Sequence, residues 1–356
     1  MRIAFIMPGF SLLPIGGYRT VYRYANHLVS RGHEVVILYP DSIFSCPKEL
    51  KRKTWHYGKY LWKKLFCKHK TDWYSLNRNV KEQYVFRADW RFVPKADIYV
   101  ATFISTSVCL RDYPIPEQNK FYYIQDLENW FGISEEDVMA TYRFPMQKIV
   151  ISQWLLDLVK STGEDAVLIR NGLEHEEFYF EIPIRERHKT NLLFYYHSEY
   201  RKGCDLTLAA LEKVRQEIPD LKITAFGFPE KTDLPDYIEY HHQPTRDQLR
   251  KLYNDAAIFT AASREEGFGL TVGEAMCCGC AVACSEAKGF KEMAIDEKTA
   301  LLFPIEDVQK QADCILRLIK DEKLRYNISE NAMEYMREFT WDKAESLFEQ
   351  TLLWEK

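Results

Sequence analysis

The sequence predicts an α/β protein with two tandem domains, each a parallel sheet covered by helices. Three observations lead to this prediction. The chain has 356 residues, and at about 100 to 200 residues per domain that length favours two domains over one. Short apolar runs alternate with amphipathic stretches, which is typical of βαβ units. The alternation stops at residues 171–190, which carry many charges and no clear period, and then restarts.

The first half opens as a βαβ unit. The apolar run RIAFIM predicts a strand, a glycine-containing loop follows, and a helix is expected from about Thr20 to Arg31 before the strand EVVILYP. The remaining candidates in this half are the strands ADIYVAT, KFYYIQD, KIVIS and AVLIRNG, with the helix QWLLDLVKS between the last two.

The second half repeats the pattern. Its predicted strands are NLLFYYH, LKITAFG, AIFTAA and CAVACS, and its predicted helices are LTLAALEKVRQEI, TRDQLRKLYNDA and TVGEAMCCG. We therefore expect one Rossmann-like domain at 1–170 and another at 171–340, with a ligand crevice at the carboxyl ends of both sheets. Residues 341–356 have apolar positions at helical spacing, and we expect this helix to pack back on the first domain.

Composition excludes several classes of protein. With 46% apolar and 28% charged residues the chain is not disordered, and a net charge of −4 gives no basic bias towards nucleic acid. Charged residues interrupt every long apolar segment, so no membrane span is expected. Pro8-Gly9 breaks the first apolar run too early for a signal peptide, and nine cysteines at irregular positions suggest free thiols in the cytoplasm.

A cluster of four cysteines allows two interpretations. Cys277, Cys278, Cys280 and Cys284 are close enough in sequence to suggest a metal site. The last two belong to the apolar run CAVAC, and free cysteine is commonly a small buried hydrophobe, so core packing is favoured.

Residues 263–276, SREEGFGLTVGEAM, combine a strand end, a glycine turn and a helix with a carboxylate on either side of the turn. Glu266 and Glu274 are eight residues apart, and carboxylates accept paired hydrogen bonds from hydroxyls, so together they suit a sugar and a ribose. The N–H groups of Gly269 and Leu270 are placed to receive phosphate oxygens at the helix start. Alternatively, Glu274 is only an early helix residue favoured by the helix dipole.

The pair Gly16-Gly17, after the first predicted strand, is a weaker signal. Glycine lets a backbone approach a ligand closely, and the following helix would face an anion. A plain turn explains the pair equally well. The surrounding sequence matches neither the dinucleotide fingerprint GxGxxG nor a P-loop.

The string EGFGLTVGEAM resembles the E-x7-E motif of the retaining glycosyltransferases of family 4, which have the GT-B fold of two Rossmann-like domains facing each other across a crevice. The opening GGYRTVYRYANHL and the segment YIQDLENWF are similar to bacterial rhamnosyltransferases of surface-glycan assembly. Further signposts that agree in order are RGHEV, Asn171-Gly172, Lys202-Gly203, and Gly289 with Glu292.

The resemblance implies transfer of a sugar from a nucleotide-diphosphate donor to a hydroxyl of a glycan or lipid-linked acceptor, without a metal or another cofactor. It assigns Glu266 to the donor sugar, Glu274 to the ribose and Lys202 to the diphosphate, with Gly16 and Gly17 lining the phosphate. The implied donor contacts also include the turn residues Gly267, Phe268, Gly269 and Leu270.

The chain departs from the family pattern at two positions. His197 stands where many relatives have an arginine five residues before the lysine, and Arg201 is a candidate replacement for that cation. Asp126 stands where many relatives have a histidine near the reacting sugar, and it is either a contact to donor or acceptor or a structural strand-end residue. Arg19 is either an anion contact or a solvated helix-start residue.

Two other functions remain open at this stage. An epimerase of nucleotide sugars with the same fold would release an epimerised donor without an acceptor. A non-catalytic nucleotide-sugar-binding subunit is suggested by His197 in place of the usual arginine.

Residues 48–73 form a locally basic segment, with nine Lys and Arg against Glu49 and Asp72. Aromatic and apolar residues interleaved with these cations suit the headgroup layer of an anionic membrane. The segment therefore predicts a cytoplasmic enzyme docked peripherally on the inner membrane face. The alternatives are a solvated basic helix with its aromatic residues buried and, less favoured, nucleic-acid binding. The interleaved residues are Trp55, Tyr57, Tyr60, Trp62, Leu65, Phe66 and Trp73.

Overall fold

The structure is a computed structural model that describes residues 1–42, 50–66, 70–129, 132–230 and 233–353, with the backbone alone for 50–56. The chain divides into two compact units, 1–170 with the residues from Ala344 onward, and 171–343. None of the helices in the described ranges combines the length and apolar character that crossing a lipid bilayer requires.

The first unit is built on a parallel sheet. Its described strands are β1 (Arg2–Ile6), β2 (Glu34–Ser42), β3 (Lys81–Arg87), β4 (Ile98–Ala101), β5 (Lys120–Ile124), β6 (Gln147–Val150) and β7 (Val167–Leu168), in the order β3-β2-β1-β4-β5-β6-β7. Its helices are α1 (Gly16–Ser30), α2 (Leu50–Phe66), α3 (Ile104–Arg111), α4 (Glu135–Tyr142) and α5 (Gln153–Ser161). Strands β1 to β3 are added towards one edge of the sheet and β4 to β7 towards the other. The strand order therefore reverses between β1 and β4, and open α/β sheets bind ligands at such a point.

The start of α1 differs from the sequence prediction. The helix begins at Gly16 instead of near Thr20, because the backbone N–H of Arg19 already donates to Ile15 O and the Tyr18 hydroxyl donates to Gly9 O at 2.9 Å. Gly16 and Gly17 are therefore in the first helical turn. Glycines carry no apolar side chain, so the helical period could not reveal this turn.

The second unit repeats the architecture with a second parallel sheet. Its described strands are β8 (Asn191–Tyr196), β9 (Lys222–Gly227), β10 (Ile238–His242), β11 (Ile258–Ala261), β12 (Ala281–Ser285) and β13 (Leu301–Phe303), in the order β10-β9-β8-β11-β12-β13. Its helices are α6 (Cys204–Glu217), α7 (Arg246–Asp255), α8 (Leu270–Cys277), α9 (Val308–Lys320), α10 (Glu322–Met336) and the start of α11 (Trp341–Leu353). The predicted fold class, two parallel-sheet α/β domains, is confirmed.

Several elements were not predicted from the pattern. Strands β3, β10 and β13 and helices α3, α4, α9 and α10 had no assignment in the sequence analysis. β10 is an edge strand with one buried residue, Ile238. An edge strand of this kind lacks the continuous apolar run that marks a central parallel strand.

From Ala344 onward α11 packs on α1 of the first unit. The Phe348 ring stacks on Tyr24 with a centroid distance of 3.9 Å. Charged contacts surround this ring pair. Glu349 contacts His27 at 2.9 Å, Arg31 at 3.3 Å and His33 at 3.4 Å, and Glu345 contacts Arg23 at 2.8 Å.

Arg187 is a buried guanidinium that ties the second unit together. It donates to the carbonyls of Ile182 at 2.8 Å, Tyr253 at 3.0 Å, Ala256 at 2.9 Å and Cys278 at 2.5 Å. Burial lowers the pKa of Arg187, and the carbonyls compensate the lost hydration. Because these carbonyls end α7 and α8, the guanidinium fixes both helices at their C-termini.

We expect Arg187→Met to lower the free energy of unfolding by about 3 kcal/mol or more, because several buried carbonyls lose their donor together. Urea unfolding of the second unit measures this. Arg185→Met is the matched control, since Arg185 is exposed and contacts Glu330 at 3.6 Å. Equal stability of the two variants would contradict the role given to Arg187.

Replacing Glu349 by Gln tests the packing of α11. Burial acts to raise the pKa of Glu349, but the hydrogen bonds of His27, His33 and Arg31 outweigh it, so the pKa is lowered. A lowered folded-state pKa stabilises the fold above the unfolded value of about 4.3 and loses that effect as pH falls through the folded value. Glu349→Gln should therefore cost about 1 to 2 kcal/mol at pH 7 and progressively less below pH 4.

The measurement is the midpoint temperature of thermal unfolding of the two proteins, at pH 7 and again below pH 4. Glu136→Gln, on the exposed face of α4, is the control. A cost for Glu349→Gln that does not change with pH would show that the carboxylate charge is unimportant there.

Candidate functional site

Lys202 and Glu266 form an ion pair at the carboxyl edge of the second sheet. Lys202 lies in the turn after β8 and Glu266 in the turn after β11, and these strands are neighbours at the point where strand order reverses. Lys202 Nζ is 2.9 Å from Glu266 Oε2, and both side chains are about one-sixth exposed, at 17% and 16%. The structure thus brings together two residues 64 positions apart that the sequence analysis placed at the donor.

Gly203 allows this approach. It has a φ of 62°, and a Cβ there would lie 1.9 Å from Ala262 O. Only glycine combines this left-handed backbone with such close contact. The turn after β8 can therefore press directly against the end of β11.

Further backbone contacts hold the two turns together. The carbonyl of Arg201 accepts from the N–H groups of Arg264 and Glu265 at 2.8 and 3.3 Å. The Arg264 guanidinium binds both carboxylate oxygens of Asp205 at 2.8 Å. On the other side Gly289 N donates to Glu266 O at 3.1 Å, and a Cβ at Gly289 would meet that oxygen at 2.4 Å.

His197 supplies a neutral imidazole where the family pattern has a cation. Burial lowers the pKa of His197, and the charges of Lys202 and Arg201 act in the same direction. Its Nδ1 accepts the N–H of Glu199 at 3.0 Å. The cations carried by this turn itself are Lys202 and Arg201, and Arg201 Nε pairs with Glu199 at 2.7 Å.

Glu274 is the fifth residue of α8, and each of its carboxylate oxygens has its own donor. Arg246 Nη1 lies 3.2 Å from Oε1, and the Tyr253 hydroxyl donates to Oε2 at 3.2 Å. Arg246 Nε also contacts Glu177 at 2.6 Å. A glutamate placed early in a helix only because the helix dipole favours it would not need two such side-chain donors. The contacts therefore favour a specific role for Glu274.

Sequence reasoning missed Arg246 and Tyr253. A signal was present, because Thr245 and Gln248 form a capping box that starts α7 at Arg246. Residues seven apart share a helix face, so Tyr253 lies on the same face as Arg246. The sequence did not reveal which element that face meets.

The glycine turn before α8 is packed tightly. Gly269 has a φ of 94°, and a Cβ there would lie 2.6 Å from a ring carbon of Phe290. The Phe268 ring is buried and faces Phe339, so Phe268 offers a ligand its backbone and not its side chain. Gly267 and Leu270 flank the same turn, and Leu270 opens the helix.

The predicted residues of the first unit meet at the carboxyl edge of its own sheet. A Cβ at Gly17 would lie 3.2 Å from Gln125 Oε1, so the start of α1 touches the segment that carries Asp126. Asp126 Oδ1 accepts the N–H of Leu127 at 2.9 Å. Arg19 lies within the first turn of α1 and is partly buried.

Glu128, close to Asp126, is a buried carboxyl that sequence reasoning missed. Its Oε2 accepts the N–H of Ile104 and faces the Tyr122 hydroxyl at 3.4 Å. Burial raises the pKa of Glu128 well above its usual value, and the charge of Asp126 acts in the same direction. The Glu128 side chain fastens the loop after β5 to the start of α3.

The four clustered cysteines are buried free thiols. Burial raises the pKa of Cys280 to about 11, so that thiol stays protonated at neutral pH. In the ranges that the structure describes, no three His, Cys, Asp or Glu side chains are grouped to hold a metal ion. The prediction that the chemistry needs no metal stays a prediction.

In the second unit the arrangement offers two carboxylates for hydroxyl groups, two cations and a helix N-terminus for an anion. The first unit offers a helix start with two glycines that lies against Gln125, the residue before Asp126. These are the groups that a charged, polyhydroxylated ligand needs.

Comparison with known proteins agrees with this chemistry. Residues 176–335 match the family described as Glycosyl transferases group 1. The phosphatidyl-myo-inositol mannosyltransferase of Mycolicibacterium smegmatis is 26% identical over 195 residues, which are 51% of this chain and 50% of that protein. An uncharacterized glycosyltransferase of Methanocaldococcus jannaschii is 28% identical over 201 residues, 55% of this chain and 56% of that protein. The chain thus spans about half the length of the curated relatives it matches.

Solved structures resemble nearly the whole chain. Sucrose-phosphate synthase from Thermosynechococcus elongatus has a TM-score of 0.73 over 98% of this chain and 97% of its own, at 16% identity. HepE from Anabaena, solved with UDP-glucose, has a TM-score of 0.69 over 99% of both chains, also at 16% identity. The chain therefore has the GT-B fold of glycosyltransferases, and residues 176–335 in its second unit match the group 1 glycosyl transferases.

Proposed function

We propose that the chain is a retaining glycosyltransferase of family 4 that moves a sugar from a nucleotide-diphosphate donor to a hydroxyl of a glycan or lipid-linked acceptor. The observation that carries the proposal is the Lys202–Glu266 pair, held by glycine-dependent turns within the segment that matches the group 1 family. HepE, which shares the fold, was solved with UDP-glucose. More specifically, we propose that the transferred sugar is rhamnose and that the acceptor belongs to bacterial surface-glycan assembly.

The chemical task is departure of a nucleoside diphosphate while positive charge develops at the anomeric carbon. An ammonium has three N–H donors, and Glu266 occupies one of those of Lys202, so donors remain for phosphate oxygens. Arg201 and the N–H groups at the start of α8 add to the field that stabilises the leaving group. His197, being neutral, contributes no charge to it.

The roles of the carboxylates follow from their neighbours. Glu266 is held by Lys202 and by Ser263, whose hydroxyl lies 3.4 Å from Oε2, and we assign it to hydroxyls of the donor sugar. Glu274 is assigned to the ribose. The acceptor hydroxyl attacks from the face that the diphosphate leaves, and its proton passes to the departing phosphate, which retains the anomeric configuration without a metal.

The first unit is proposed to bind the acceptor. Asp126, at the end of β5, is the candidate contact to donor or acceptor in this unit, and Gly16, Gly17 and Arg19 are candidate anion contacts. A lipid-linked acceptor fits the name of one relative, a phosphatidyl-myo-inositol mannosyltransferase.

Turnover of a nucleotide-sugar panel by the purified chain tests the proposed function. With a suitable acceptor, Lys202→Ala should lower kcat and kcat/KM together by about 2 to 4 kcal/mol of transition-state stabilisation. Lys213→Ala, on the exposed side of α6, is the control. An epimerised donor formed without acceptor would identify an epimerase instead. Donor binding without turnover would identify a binding subunit.

We also propose that α2 docks the protein on an anionic membrane. Residues 48–49 and 67–69 of the predicted basic segment lie outside the described residues, as does the side chain of Trp55. Tyr60 is buried, with 6% of its surface exposed, and belongs to the core, whereas Trp73 is partly buried. Trp62, Leu65 and Phe66 are 58%, 74% and 73% exposed.

This exposure supports the docking proposal over a helix with all its aromatic residues buried. Trp62 and Phe66 are one helical turn apart, with ring centroids at 6.0 Å, so they form one apolar surface. Lys64 lies on the same part of α2, with its ammonium 5.6 Å from the Tyr60 ring. Aromatic rings with neighbouring lysines are suited to a headgroup layer that contains anionic lipid.

Vesicle co-sedimentation tests the docking. Replacing Lys51, Arg52, Lys53, Lys59 and Lys64 by Gln should largely abolish binding to anionic vesicles at physiological salt, at about 1 kcal/mol per cation. Lys63 is retained because it pairs with Asp41. The control replaces five exposed lysines of the second unit, which lowers the net charge equally. These are Lys213, Lys251, Lys298, Lys310 and Lys323.

A triple change of Trp62, Leu65 and Phe66 to Ser should weaken the same binding without unfolding the protein, since all three are exposed. Weak, equal binding of the unchanged protein to anionic and neutral vesicles would refute the docking. Retention of binding by the α2 variant together with loss in the control would place the surface elsewhere.

A further inference from the structure

We propose that Arg246 and Tyr253 are positioning residues that hold the Glu274 carboxylate in the one orientation that accepts both hydroxyls of the ribose diol. The inference rests on the proposed function, because it requires a nucleotide at Glu274. It adds two residues of α7 that neither the family motif nor the sequence analysis identified.

The first support is the division of donors between the two carboxylate oxygens. Oε1 accepts from Arg246 and Oε2 from Tyr253, both at 3.2 Å. A carboxylate held at both oxygens cannot rotate about its terminal torsion without breaking a bond. A carboxylate oxygen can accept more than one hydrogen bond, and two adjacent acceptors are what a pair of neighbouring hydroxyls requires.

The second support is the rigidity of Tyr253. Its side chain is fully buried, and its ring packs edge-on against Phe178, Phe226 and Phe259, each with a centroid distance of 5.7 Å. Its carbonyl is held by Arg187 at 3.0 Å. Burial raises the pKa of Tyr253 well above its usual value, and the charge of Glu274 acts in the same direction. The hydroxyl therefore stays a donor.

The third support is the geometry of Arg246. Its Nε contacts Glu177 at 2.6 Å while Nη1 contacts Glu274, and the guanidinium lies 4.5 Å from the centroid of the Phe178 ring. A lysine cannot present two fixed donors to two carboxylates while lying flat on an aromatic ring. The guanidinium also compensates the charge of Glu274, which reduces repulsion of a diphosphate bound nearby.

Calorimetric titration with paired ligands tests the inference. The probes are UDP, GDP and ADP, each with its 2′,3′-dideoxy counterpart, and the variants are Arg246→Lys, Tyr253→Phe and Glu274→Ala. Each positioning variant should weaken binding of the preferred ribonucleotide about fivefold or more and leave binding of its dideoxy counterpart unchanged. Glu274→Ala should abolish the preference for the diol. With a turnover assay, Tyr253→Phe should raise KM for the donor more than it lowers kcat.

The control is Arg250→Met. Arg250 lies on the same helix and pairs with Glu181 and Asp247, at 3.2 and 2.9 Å, so its removal should leave the preference for the diol intact. Circular dichroism establishes that each variant is folded.

The outcomes separate the two proposals. If the unchanged protein binds none of the nucleoside diphosphates, the proposed function fails and the inference with it. If it prefers the ribonucleotide and the positioning variants keep that preference, the inference alone fails. Equal weakening of the ribonucleotide and dideoxy ligands would also overturn it, because the residues would then act on the phosphates or on the fold.

Discussion

The close approach of Gly203 to Ala262 is the contact on which the candidate site of the second unit depends. No side chain fits there, since a Cβ would lie 1.9 Å from the carbonyl oxygen. Strand order places β8 beside β11, so the turns that follow them are neighbours, and the missing side chain lets the two backbones touch. The ion pair between Lys202 and Glu266 follows from this contact, as do the hydrogen bonds to the carbonyl of Arg201.

Each carboxylate of the E-x7-E motif has a cation that arrives from another element. Glu266 is paired with Lys202, and Glu274 with Arg246. A partly buried carboxylate without such a partner would carry a large desolvation cost, so the partners are part of the fold whatever ligand binds. Arg187 acts in the same way on neutral groups, because it satisfies the carbonyls that end the helices carrying Tyr253 and Glu274.

In the first unit the two ends of α1 contact different parts of the structure. Its first turn begins with two glycines and lies against Gln125, whereas its last turns face the acidic residues of α11, with His27 and Arg31 as their partners. The helix α2 is different again. It is anchored through Tyr60 and by the pairing of Lys63 with Asp41, and it leaves Phe66 exposed.

The sequence by itself determined the alternation of strands and helices, the break near residue 171, and the candidate carboxylates Glu266 and Glu274. These follow from local patterns: apolar periodicity, and glycines and charges at strand ends. It also indicated the helix that α11 forms, because that helix has a clear apolar period. Lys202 was named only through the resemblance to a known family.

Tertiary structure alone decided which residues the candidate site residues contact. The pairing of Glu274 with Arg246 and Tyr253 needs α7 and α8 side by side, and the neutral state of His197 comes from burial. Phe268 was predicted as a donor contact, and its ring turns into the core towards Phe339, which leaves its backbone for a ligand. Contacts between distant segments, and the desolvation they cause, are not encoded in local periodicity, so these features appear only when the chain is folded.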